Sequence, residues 1–186
     1  MGNILYIHQY FKTPNEPGGT RSYWIAKELV NKGVNVTMLT TSNLIKNKTE
    51  RKNVDGIDVV YFKVSYDQKM GAFRRFVSFC RFMLKAIFFS LKIKNLNLVI
   101  ATSTPLTVGV PALILKKIKR VPFIFEVRDL WPEVPIQMGA LNNPLIRGLA
   151  IWLEKVIYEN AKHVVALSPG MASGVIKHVL EEKVSM

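Results

Sequence analysis

Residues 3–40 constrain the fold more than any other stretch of this chain. The run Ile4-Leu5-Tyr6-Ile7 is continuously apolar, the pattern of a strand buried on both faces. A polar loop holding Pro17-Gly18-Gly19-Thr20-Arg21 follows, then a helical segment from Ser22 that stops at Gly33. The segment Val34-Asn35-Val36-Thr37-Met38-Leu39-Thr40 is β-branched and apolar and begins at once, so it reads as a second strand. Strand, crossover helix and strand make a parallel βαβ unit. Its first junction puts bare backbone amides at the positive end of a helix, where an anion or a sugar hydroxyl binds. The junction lies at the carboxyl edge of the first strand, where open α/β sheets hold their ligands.

The alternation continues down the chain. Strands are expected at 57–64, 98–101, 122–127 and 163–167, with helices from near Leu106 to Lys119, over 143–160 and from Ser168 onward. Ser168-Pro169 is a helix start, serine capping and proline in the first turn. The polar stretch 41–53 has no period and reads as a loop. The sum is one domain over 1–186, a Rossmann-like, doubly wound, mostly parallel sheet with helices on both faces.

Twenty-six Lys and Arg stand against 13 acids, a net charge of +13. A field of that sign draws anionic partners: acidic lipid headgroups, phosphorylated small molecules or nucleic acid. The single cysteine, Cys80, excludes an internal disulfide framework and suits a reducing compartment. The N-terminus lacks the basic region of a secretory signal and runs straight into a strand pattern.

Residues 72–94 are apolar on most sides of a long helix. Arg81, Lys85 and Lys92 interrupt any run near the length of a membrane span. At helical spacing Arg74, Ser78, Arg81, Lys85 and Lys92 fall on one narrow polar stripe. Two readings stand. The helix is packed on two sides within the fold, or its spare aromatic surface dips into an anionic membrane interface through Arg74, Arg75, Phe76, Phe79 and Arg81.

Chemistry in such a sheet belongs at the carboxyl ends of the strands. Glu126-Val127-Arg128-Asp129-Leu130-Trp131-Pro132-Glu133 is a charged and aromatic run directly after a buried strand. Arg128 can clamp an anion through its fork of donors. Asp129 can orient a sugar hydroxyl or take its proton; the competing reading is an Arg128–Asp129 ion pair that shapes the loop. Glu126 reads as structural. Ser103 and Thr104 sit at another strand-to-helix turn, where they cap the helix or touch ligand. His8 ends the first strand, a structural position or a base. No cluster of histidine, cysteine and carboxylate has metal-ligand spacing. Gly18-Gly19 is not the dinucleotide fingerprint, and no phosphate-binding P-loop occurs.

The glycine-pair loop, Ala26-Lys27-Glu28-Leu29 leading to Gly33, Arg128-Asp129-Leu130-Trp131-Pro132-Glu133 and the later Ala161-Lys162-His163-Val164-Val165-Ala166-Leu167-Ser168 occur in an order that resembles the N-terminal half of glycosyltransferase family 4 enzymes. The branch most alike transfers N-acetylated amino sugars such as fucosamine in bacterial surface polysaccharide assembly. The resemblance implies a GT-B architecture of two Rossmann-like domains and net retention of anomeric configuration. It implies a nucleotide-sugar donor, a lipid-linked or oligosaccharide acceptor, and no metal ion or other cofactor. Gly18, Gly19 and Thr20 would face the donor diphosphate or the acceptor, with Arg128, Ser103 and Thr104 in the binding edge and Asp129 orienting the acceptor hydroxyl. Relatives often carry His-Asp where this chain has Arg128-Asp129, and an arginine cannot serve as a base. The paired glutamates of the donor domain do not occur, since Glu126 and Glu133 are seven apart. The chain is therefore expected to be an acceptor-side domain, inactive by itself, whose C-terminal donor domain is a partner. The expected location is the inner face of a bacterial plasma membrane, peripheral from the cytoplasm, with no nucleic-acid partner. The alternative is a non-catalytic basic Rossmann domain on an anionic membrane or nucleic acid.

Overall fold

The computed structural model describes residues 2–67, 70–132, 136 and 143–186. Glu133, part of the motif that follows Arg128, lies outside them. The described chain forms β1 (Asn3–Ile7), α1 (Arg21–Asn31), β2 (Asn35–Thr41), β3 (Thr49–Val54), β4 (Ile57–Phe62), α2 (Ala72–Lys92), β5 (Leu98–Thr102), α3 (Gly109–Lys119), β6 (Phe123–Val127), α4 (Pro144–Asn160), β7 (His163–Ala166), α5 (Pro169–Ile176) and β8 (Val184–Ser185). Their order across one sheet is β3-β4-β2-β1-β5-β6-β7-β8. All neighbours are parallel except the β3–β4 hairpin. This is the Rossmann-like α/β sheet that the alternation predicts.

Strand periodicity sorts the core into two layers. Leu5, Ile7, Leu39, Val60, Val99, Phe123 and Phe125 point to one face, under α2, α3, α4 and α5. Tyr6, Val36, Met38, Ile57 and Val59 point to the other, under α1. Successive side chains of each strand thus enter different layers, which is why these strands read as unbroken apolar runs.

One element departs from expectation. Residues 49–53 of the stretch read as a loop belong to β3, an edge strand of mostly exposed polar residues, Thr-Glu-Arg-Lys-Asn-Val, that ends at Val54. Solvent on its outer side removes the apolar pattern that marks the central strands. Its signal is the turn instead: Asp55 and Gly56 have φ of 52° and 89°, the positive pair that a two-residue hairpin requires. Ser168 does cap α5, its Oγ accepting from Met171 N at 3.3 Å, and Asn143 caps α4 through the N–H groups of Leu145 and Ile146.

Topology places the site. The chain leaves β1 for β2 on one side and returns through α2 to β5 on the other, so β1 and β5 flank the switch point of the sheet. In open α/β sheets the crevice that takes a ligand lies at the carboxyl edge of such a point.

Candidate functional site at the carboxyl edge

Three strand ends meet at this edge: β1 with the glycine loop that enters α1, β5 with Ser103-Thr104, and β6 with Arg128-Asp129. The structure brings every expected binding residue except the α2 set to this edge, and side-chain bonds stitch the three ends together.

The glycine pair is required for two separate reasons. Gly18 holds φ at +130°, a backbone region that side-chain-bearing residues rarely enter. Gly19 is crowded instead, since a Cβ there would lie 3.0 Å from Arg128 Nη2. The glycine loop and the arginine loop are thus in contact, 109 positions apart in sequence (128 − 19). Thr20 occupies the cap position of α1 without a side-chain cap bond, and the first turn carries no acid.

Arg128 touches His8 on its other side, Nη1 to Nε2 at 3.4 Å, while His8 Nδ1 lies 2.7 Å from Ser22 Oγ on α1. A guanidinium only donates, so Nε2 accepts and Nδ1–H donates to Ser22. Burial lowers the His8 pKa to about 3, and the Arg128 cation pushes the same way. With the ring buried and both nitrogens engaged, His8 props Arg128, the structural arrangement of the two read from the sequence.

Glu126 is structural as expected. Its side chain, only 4% exposed, accepts from Arg21 Nε at 2.7 Å and from Thr102 Oγ1 at 2.8 Å. The pair ties the N-terminus of α1 to the end of β6. Thr102 Oγ1 also lies 3.3 Å from the Tyr6 hydroxyl, whose pKa burial raises well above the ordinary tyrosine value.

Ser103 and Thr104 do not cap the helix that follows; neither the short turn Leu106–Val108 nor α3 has a side-chain cap bond. They hold the β6 loop instead. Ser103 Oγ accepts from Arg128 N at 2.9 Å, and Thr104 Oγ1 donates to Asp129 Oδ2. Thr104 has φ of 42°, where a β-branched residue is rare, and such conformations concentrate at functional sites. Asp129 itself is exposed, and no ion pair joins it to Arg128 among the described residues. The arginine and the carboxylate are each fixed by neutral neighbours and face solvent at this edge. Chemically, this edge can take a negative group on Arg128 and the glycine-loop amides and a hydroxyl on Asp129.

Sequence reasoning missed the Arg21–Glu126 tie and Gln9. Gln9 is fully buried after β1, and neither its amide nitrogen nor its oxygen has a hydrogen-bond partner among the described residues. Its place directly after the first strand was the only signal. Among the described residues no three His, Cys, Asp or Glu side chains gather to hold a metal.

The second expected patch, on α2, lies elsewhere. Arg74, Phe76 and Arg81 are exposed and Arg75 is half-buried, but Phe79 is half-buried and stacks on Tyr66 with centroids 5.9 Å apart. Ser78 leaves the supposed polar stripe: it is buried and donates to Ser65 O at 2.9 Å. Phe73, 77% exposed, takes an outer position. Met70, Phe73, Arg74 and Arg81 line a groove of about 250 Å³ between α2 and the loop after β4.

In fold, this Rossmann-like sheet matches about half the length of each of several solved structures, a glycosyltransferase among them. The chain belongs to the glycosyl transferase 4-like domain family, which matches residues 18–185. No curated protein matches it. Among solved structures it is similar to sucrose-phosphate synthase from Thermosynechococcus elongatus, with TM-score 0.65, 14% identity, and coverage of 100% of this chain and 47% of that one. It is similar to an E. coli structure described as trehalose-6-phosphate with UDP-2-fluoro glucose bound, with TM-score 0.62, 13% identity, and coverage of 94% and 42%. A UDP-N-acetylglucosamine 2-epimerase shares the fold at TM-score 0.55 and 10% identity, covering 98% and 47%. The chain spans about half the length of these structures.

Proposed function

We propose that this chain is the acceptor-side domain of a retaining glycosyltransferase that moves an N-acetylated amino sugar, of the fucosamine type, from a nucleotide-sugar to a lipid-linked saccharide in bacterial surface polysaccharide assembly. The observation that supports the reading is the close approach of the Arg128 guanidinium to Gly19, beside Asp129, at the switch point of the sheet in a chain of the glycosyl transferase 4-like family. A sugar donor loses its nucleoside diphosphate as the anomeric C–O bond breaks. The acceptor oxygen bonds to that carbon as its proton passes to the departing diphosphate oxygen. The glycine-loop amides and Arg128 supply positive field for the departing diphosphate without a metal ion. Asp129, held by Thr104, orients the acceptor hydroxyl. His8 stays neutral throughout and keeps the guanidinium aimed across the glycine loop.

The second domain, which holds most of the donor, completes the cleft, so residues 1–186 alone are inactive. A net charge of +13 and the Phe73–Arg74–Arg81 surface of α2 suit a peripheral position on the inner, anionic face of the plasma membrane, where a lipid-linked acceptor resides. The test is a donor panel offered to the full-length enzyme with a lipid-diphosphate sugar as acceptor, with product separated by chromatography. Transfer from one nucleotide-sugar with net retention supports the reading. No transfer from any donor, together with strongly salt-sensitive binding to bulk polyanion, supports the non-catalytic alternative.

A further inference from the structure

α4 carries an apolar surface that the fold leaves uncovered. Leu145 is 82% exposed, Leu149 63% and Trp152 58%, with Ile146 and Ile151 exposed beside them. Within residues 144–153 the only charged side chain is Arg147. A helix that is apolar nearly all round and exposed is not behaving as an ordinary surface helix.

Its position says what covers it. α2 and α4 are both crossovers between parallel strands on the same face of the sheet, with α3 between them. Each runs back against the strands, so both N-termini lie toward the carboxyl edge of the sheet. Neither first turn contains an acid, although the helix dipole favours acids there. Arg74, Arg75 and Arg147 occupy these turns instead. Exposed aromatic and aliphatic side chains with arginines in the first turns of both helices, on a chain of net charge +13, complement an anionic lipid surface. Trp152 has the amphipathic ring that settles at headgroup depth. No helix among the described residues is long and apolar enough to cross a membrane, so contact is with the surface of one leaflet.

We propose that the N-terminal half of α4 is a second membrane-docking element, which with the first turns of α2 seats this helical face of the sheet on an anionic bilayer. Two contacts on one face of the sheet fix an orientation, as one helix cannot. The inference builds on the membrane reading of α2, and its test separates the two.

Flotation of the intact protein with vesicles of phosphatidylglycerol and phosphatidylcholine, or phosphatidylcholine alone, gives the readout. Three variants are compared: Leu145→Glu/Leu149→Glu on α4, Phe73→Glu/Phe76→Glu on α2, and Ile118→Glu. Ile118 is a 64% exposed apolar residue in the last turn of α3, at the opposite edge of the sheet. The wild type floats with anionic vesicles only. The α4 and α2 variants each lose roughly 10-fold or more in partitioning, and Ile118→Glu is unchanged. Anionic vesicles also blue-shift wild-type tryptophan emission, and Trp152→Phe reduces that shift. An α4 variant that floats like the wild type overturns the inference and leaves the α2 reading standing. A wild type that does not float overturns both. If the α4 variant instead turns a dimer into a monomer by light scattering while vesicle binding persists, a second copy covers α4 and the inference fails.

Discussion

Gly19→Ala separates the site from the fold with a single methyl group. The new Cβ would sit 3.0 Å from Arg128 Nη2, where ordinary contacts are 3.4–4 Å, so the guanidinium must yield by about half an ångström. The neighbour is the free end of a long side chain, and Gly19 does not occupy the positive-φ region. Stability should then stay within about 1 kcal/mol of wild type, since restricting the unfolded chain offsets the contact. The site bears the change. Arg128 is displaced from its place over the glycine loop, and the charge-assisted bond of about 1.5–3 kcal/mol that we propose it makes to the donor diphosphate is weakened or lost. That corresponds to a fall of roughly 10- to 100-fold in kcat/KM for the donor in the full-length enzyme. Gly18→Ala is the counterpart: φ of +130° strains any side chain, its Cβ meets Lys12 Cγ rather than Arg128, and the cost of about 1–2 kcal/mol falls on stability. Urea unfolding and donor kinetics on both variants provide the assay. A Gly19→Ala enzyme within twofold of wild-type kcat/KM, or destabilised by more than about 2 kcal/mol, would refute the reasoning.

Three further outcomes follow from the same geometry. His8 has its pKa lowered to about 3 by burial, whereas an unfolded histidine protonates near 6.5. The unfolded state therefore binds the extra proton, and stability declines as pH falls from 6.5 toward 3, by up to roughly 3 kcal/mol at about pH 4; His8→Gln flattens that decline in urea midpoints. Arg21→Ala leaves Glu126 buried beside Thr102 alone and costs about 1–3 kcal/mol, discounted because the Arg21 side chain is 47% exposed; adding Glu126→Gln recovers part of the loss. Gly109→Ala drives a methyl into Ile157, whose Cγ1 would be only 2.8 Å away, and costs about 1–3 kcal/mol. Ile157→Val in the same chain returns part of it, read as a double-mutant cycle by thermal melting.

The central strands were legible because burial on both faces leaves an unbroken apolar run, as in Ile4-Leu5-Tyr6-Ile7. β3 was not, because an edge strand in water keeps its polar residues, and only Asp55-Gly56 announces the hairpin. Local features of the site were legible too: a glycine pair before a helix, and an arginine and an aspartate just after a strand. Their ties were not. Arg21 and Glu126 meet across 105 positions, and nothing in either neighbourhood specifies the partner. Ser103 and Thr104 misled for a chemical reason, since the hydroxyls that favour a helix cap also serve to anchor a loop. The orientation of α2 was misread because aromatic residues surround it, so packing against β4 and α3 rather than periodicity decides which side is buried. Ser78 went inward and Phe73 outward as a result.

The account rests on Asp129 facing the acceptor hydroxyl, and Asp129→Asn in the full-length enzyme tests that most directly. The substitution keeps the size of the side chain and an oxygen for Thr104 but removes the charge that orients and polarises the hydroxyl. Steady-state transfer from the preferred nucleotide-sugar to a lipid-diphosphate-linked acceptor should show kcat reduced by about 10²-fold, with donor KM within a factor of about three. An unchanged kcat, or a loss confined to donor KM, would place Asp129 outside the acceptor site and contradict the account.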